Sequence, residues 1–178
     1  MPIFSKQLVQ ITLLICLSMN AYSNTELYMH GNVLGSQPCI IDPSDQNIPI
    51  NFSNISIKTP VAGKQLNPQS IIIHFLQCNN ASANRVVTIT ITGTEAADPV
   101  GYLALDANSA AAGIAIGFAT ISGMPVLLNQ ASDAFPLTNG TKQIELKTYV
   151  GVSPTAIANN GVRYGNFTAT AGFTLTYQ

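Results

Sequence analysis

Apolar and polar residues alternate along most of the chain beyond its first two dozen positions. Between residues 24 and 35, Thr25, Leu27, Met29, Gly31 and Val33 fall on one side of an extended chain, and Glu26, Tyr28, His30 and Asn32 fall on the other. That two-residue period is the mark of a β-strand with one buried face. A dense apolar run follows at 70–78, with Ile71, Ile72, Ile73, Phe75 and Leu76. Val and Ile alternate with Thr through 86–93. Ile114, Ile116 and Phe118 repeat the period, as do Ile144, Leu146, Thr148 and Val150. The longest alternation closes the chain: Gly165, Phe167, Ala169, Ala171, Phe173, Leu175 and Tyr177 share one face, with Thr168, Thr170, Thr174 and Thr176 among the residues opposite.

Turn-forming pairs punctuate these runs: Asp42-Pro43, Thr59-Pro60, Asn67-Pro68, Asp98-Pro99, Asn139-Gly140 and Asn160-Gly161. Short strands between regular turns predict an all-β sandwich or barrel. Only 107–112 and 132–135 offer weak helical pieces. No linker, repeat or charge block divides the chain after residue 23.

The first 23 residues read differently. Lys6 precedes an apolar stretch from Leu8 to Leu17, and Ala21-Tyr22-Ser23 places small residues three and one before a cleavage point. That is the layout of a secretory signal peptide, and the stretch falls short of the ~20 residues a membrane span needs. The competing reading is a buried N-terminal helix.

Export changes the meaning of the cysteines. Cys16 would leave with the signal peptide, and Cys39 and Cys78 would remain. In an oxidising compartment such a pair reads as one disulfide, adding about 4 kcal/mol in the chain-entropy account. A metal site is the rival reading, but it needs a fuller set of ligands, and neither His30 nor His74 comes with one.

Composition excludes more than it selects. Of the 178 residues, 8% are charged and the net charge is −1, so no basic face exists for nucleic acid. The sequence contains no GxSxG, HExxH or CxxC, and its acidic residues are scattered. No enzyme, cofactor or metal is expected. The stretch 42–47 hints at a calcium loop but lacks that loop's Gly and terminal Glu, so a solvated turn is expected there. Both histidines are expected to be structural.

The ends of the chain carry a resemblance. The C-terminal alternation, with Tyr177 penultimate and Gly165 fourteenth from the end, resembles the closing strand of type 1-like chaperone–usher fimbrial subunits. The alternating segment around Gly31, followed by Pro38-Cys39, resembles that family's N-terminal extension. Gly113-Ile114-Ala115-Ile116 and Gly123-Met124-Pro125-Val126 resemble its central strands and turn. Gly172 departs from the family by interrupting the outer face of the last strand.

The resemblance implies an incomplete immunoglobulin-like β-sandwich, a six-stranded pilin domain at 36–178 lacking its seventh strand, preceded by a signal peptide at 1–23 and a donor-strand extension at 24–35. It implies a disulfide between Cys39 and Cys78. It makes Thr25, Leu27, Met29, Gly31 and Val33 the donor face, and Gly165, Phe167, Ala169, Ala171, Phe173, Leu175 and Tyr177 the wall of an acceptor groove. A structural or adaptor role in an adhesive pilus follows, by donor-strand exchange. The alternative is a single-domain receptor-binding adhesin. The implied partners are a periplasmic chaperone, an outer-membrane usher and neighbouring subunits, with a host receptor met only through the assembled pilus. The implied destination, through the periplasm, is a cell-surface fimbrium. On pattern alone, residues 24–35 fit an ordinary edge strand of their own domain equally well. Burying Leu27, Met29 and Val33 in a neighbour is worth roughly 5–9 kcal/mol, against the 5–15 kcal/mol that typically holds a whole domain.

Overall fold

A computed structural model describes residues 39–57, 61–76, 85–138 and 140–178, all of them within one compact unit, Gly35–Gln178. The expected alternations form strands wherever a neighbour is available to pair. Eight strands result among the described residues: β1 (Ile40–Ile41), β2 (Leu66–Leu76), β3 (Arg85–Thr92), β4 (Ile114–Thr120), β5 (Pro125–Val126), β6 (Phe135–Leu137), β7 (Gln143–Val152) and β8 (Gly172–Tyr177). Six of them are longer than two residues. All pairs are antiparallel. One sheet has the order β1-β2-β7-β4-β5 and the other β6-β3-β8.

The period of two decides what is buried. Ile73 and Phe75 of β2, Ile116 and Phe118 of β4, and Ile144, Leu146 and Val150 of β7 point inward from the larger sheet. Val87, Ile89 and Ile91 of β3 and Leu137 of β6 meet them from the smaller one. From β8, Phe173, Leu175 and Tyr177 pack on this core but stay only partly buried. One edge of each sheet is short and carries an exposed proline: Pro125 on β5 and Pro136 on β6.

Several sequence expectations are corrected. Asn67-Pro68 is no turn. It lies inside β2, where the register with β7 shifts between Leu66 and Gln69 and Asn67 takes φ 46°, so the pair makes a bulge that lets the strand start earlier. The segments 107–112 and 132–135 are not helical. Among the described residues the one α-helix, α1 (Pro154–Ala158), begins at Ser153, whose hydroxyl accepts from the Ala156 N–H at 3.0 Å. The stretch 42–47 is a turn exposed at Pro43, Ser44, Gln46 and Asn47, but it is not solvated throughout. It forms a 3₁₀ turn over Pro43–Gln46, capped by Asp42, with Asp45 buried. The Asp45 carboxylate accepts the backbone N–H of His74 and lies 3.1 Å from its Nδ1. His74 is thus structural, pinning this turn to β2.

The closing alternation is also divided. Only Gly172–Tyr177 joins a ladder, with Thr92↔Gly172 its first pair, because β3 ends there. Residues 166–171 continue along the same line with no strand beside them among the described residues.

Candidate functional site

A groove of about 1240 Å³ opens into the core between two extended stretches of chain. One wall is 47–57, the other 163–173, and the floor includes Ile73, Ile89, Ile116 and Val150 from both sheets. A closed sandwich would have a strand here. Side chains of the two walls meet at Phe52 and Phe167, whose ring centroids are 6.1 Å apart.

The first wall alternates Ile48, Ile50 and Phe52 toward the core, then resumes at Ile55 and Ile57 after Ser53, which takes φ 52°. Among the described residues it makes no backbone-to-backbone hydrogen bond. Side chains hold it instead: Asn67 Nδ2 donates to the Phe52 carbonyl, and the Ser53 N–H donates to Asn51 Oδ1 at 2.8 Å. The buried Asp45 anchors its start.

Among the described residues the second wall is bonded on one edge only. The loop 106–112 supplies that edge. Asn166 O accepts from the N–H of Ala110 at 2.8 Å and of Ala111 at 3.2 Å, and Thr168 O accepts from Asp106 N–H at 2.8 Å. Further on, Gln178 exchanges both backbone bonds with Val86 of β3. Even-numbered residues therefore turn their backbone groups away from the groove. In an extended chain, consecutive residues direct N–H and C=O to opposite edges, so Phe167, Ala169 and Ala171 present theirs to the groove. None of the three has a backbone partner among the described residues. Among the described residues both walls thus leave backbone donors and acceptors without partners beside an apolar floor, the arrangement that an added strand satisfies.

Of the seven residues expected on the acceptor wall, Gly165, Phe167, Ala169, Ala171 and Phe173 line the groove. Leu175 and Tyr177 do not. They lie farther along β8, opposite Ile89 and Val87. The Tyr177 hydroxyl donates to the Cys39 carbonyl at 3.3 Å, and burial raises its pKa. Gly165 sits where an added Cβ would lie 2.7 Å from the Cβ of Ala110. Cys39 is buried and disulfide-bonded. Cys78 and the donor face Thr25, Leu27, Met29, Gly31 and Val33 lie outside the described residues. Sequence reasoning missed the wall at 47–57, although Ile48-x-Ile50-x-Phe52 carries the strand period. Among the described residues no group of His, Cys, Asp and Glu is placed to hold a metal ion.

Known proteins share both sequence and shape with this chain. The major MR/P fimbria protein of Proteus mirabilis (strain HI4320) is 30% identical over 155 residues, covering 84% of this chain and 85% of the relative. The fimbrial adapter PapK of Escherichia coli is 25% identical, covering 94% and 96%. The crystal structure of the P pilus rod subunit PapA superposes with a TM-score of 0.65 at 25% identity, over 80% of this chain and all of the other. That likeness makes the open two-sheet fold immunoglobulin-like. The family model for fimbrial protein matches residues 27–178, and the chain accordingly belongs to the fimbrial protein family, whose members are structural subunits and not enzymes.

Proposed function

We propose that this chain is a structural or adaptor subunit of a chaperone–usher pilus, polymerising by exchange of strands. Residues 1–23 direct export. Cys39 pairs with Cys78. The groove between 47–57 and 163–173 receives one neighbour's N-terminal strand, and residues 24–35 enter the groove of another neighbour. Before assembly a periplasmic chaperone fills the groove, and an outer-membrane usher presides over the replacement. The observation that carries this reading is the groove itself, floored by core residues and flanked by two walls whose backbone groups lack partners among the described residues.

The test uses a synthetic peptide of residues 24–35 and the purified subunit. Occupancy of the groove stabilises the fold by mass action, about 2.7 kcal/mol at a peptide concentration of about 100 Kd. For a domain of this size that raises Tm by roughly 5–10 °C. A peptide with Gly31→Leu should not raise it, because a side chain then occupies a place of close backbone approach. A Phe173→Asp subunit should not respond to the parent peptide, because the variant buries a charge in the groove. An unchanged Tm with the parent peptide would remove the acceptor role for this strand.

A further inference from the structure

The two halves of the β8-side wall are supported in different ways. Residues Gly172–Tyr177 lean on β3 through a regular ladder. Residues 166–171 lean on a loop, and much of that support comes from side chains. Ser109 Oγ accepts the Thr168 N–H at 3.1 Å and donates to the Thr168 carbonyl at 3.2 Å. One hydroxyl thus does for Thr168 what a neighbouring strand would do with a whole residue. Thr170 Oγ1 donates to Asp106 Oδ2 at 3.2 Å, and the Asp106 N–H closes on the Thr168 carbonyl.

These contacts fix which way the wall's backbone faces. With Thr168 held on its loop edge, Phe167 and Ala169 must direct their N–H and C=O groups to the groove. Release of Thr168 lets the segment rotate about its own axis. A one-residue change of facing would turn the even-numbered residues to the groove and carry Phe167 and Ala169 off the core. β3 prevents this beyond Gly172 but cannot do so before it, since it ends at Thr92.

We propose that Ser109 and Asp106, on a loop outside the groove, are positioning residues that hold the 166–171 half of the wall in the facing an incoming strand requires. This rests on the strand-acceptor reading above. Neither residue touches the incoming strand. They act through Thr168 and Thr170.

Amide hydrogen exchange, resolved by residue in the subunit with the 24–35 peptide bound, tests this. In the parent, the peptide should protect Phe167, Ala169 and Ala171 in one half, and Phe173 and Leu175 in the other. In Ser109→Ala, protection of the first three should fall by about tenfold, the worth of roughly one net hydrogen bond, while that of Phe173 and Leu175 is retained. Asp106→Ala should act in the same direction. Ser109→Thr keeps the hydroxyl and should keep the protection. Equal loss in both halves would make Ser109 an ordinary stabilising residue, and no loss would make it idle, so either result overturns the positioning role alone. If the peptide protects neither half of the parent, the acceptor reading itself fails and the positioning role goes with it.

Discussion

Two glycines on the closing segment meet different surroundings in the fold. Gly165 takes φ 154°, and a Cβ there would press on the side chain and backbone of Ala110, at 2.7 and 3.1 Å. The obstacle is loop backbone, which cannot yield without moving the contacts to Asn166 and Thr168. Gly165→Ala should therefore cost about 1–3 kcal/mol, the usual range for overpacking a tight site, read as a lower urea midpoint at constant m-value. Gly172 is exposed, and its added Cβ would meet only the end of the Thr92 side chain at 3.0 Å. That hydroxyl can rotate away, so Gly172→Ala should stay within about 0.5 kcal/mol of the parent. The departure at Gly172 is thus harmless, and the glycine fourteenth from the end is held in place by packing against a loop.

At the scale of elements, α1 shows how a loop is tied to the sheet that leads to the groove. The helix is too short to persist alone. Its start is held by Ser153 and by Asp98, whose carboxylate accepts from the Ser153 hydroxyl and from the Thr155 N–H at 2.9 Å. These bonds, the one from Ser153 first, hold the Asp98 pKa below its ordinary value. A carboxylate with a lowered folded pKa stabilises the protein above its unfolded pKa and loses that contribution as pH falls through the folded value. Asp98→Asn should lower Tm at neutral pH and converge with the parent below about pH 4, near and under the ordinary Asp value.

Sequence reading finds strands here because their signal is repeated, and misses α1 because five residues give less than two turns of period. Ser153-Pro154 before it and Asn160-Gly161 after it mark its ends and are the only cues. The wall at 47–57 is hidden for another reason. Ser53, in the left-handed region, breaks the alternation after Phe52, so two short runs replace one long one. Periodicity also says which side of a chain faces the core, never which segment lies beside it. That is why 165–177 reads as one strand while only its second half has a ladder. The loop at 106–112 has no period at all, and its contacts with Thr168 and Thr170 come from chain segments that the sequence sets far apart.

At the scale of the whole molecule, folding and association draw on the same surface. The groove's floor residues Ile73, Ile89, Ile116 and Val150 are buried core residues, and on the proposed reading the strand that a closed sandwich would lay between the two walls comes from a neighbour. The sheet edges at β5 and β6 are handled differently. β5 has two residues and β6 three, and each carries an exposed proline that cannot donate to a further strand. In the language of polymer chemistry, the subunit is on the proposed reading a monomer of functionality two, with one acceptor groove and one donor strand. Such monomers grow unbranched chains at any extent of reaction, whereas a third reactive edge would bring branching and, eventually, a gel. Pro136→Thr would restore a donor on the free side of β6. It should leave the peptide response intact while raising light scattering at high concentration, and electron microscopy should show side-to-side bundles in place of single filaments. Unchanged scattering and filaments would mean that the shortness of β6 alone suffices to cap that edge. Raised scattering and bundles would instead mean that Pro136, which lies outside the groove lining, helps to set the dimensionality of the assembly to one.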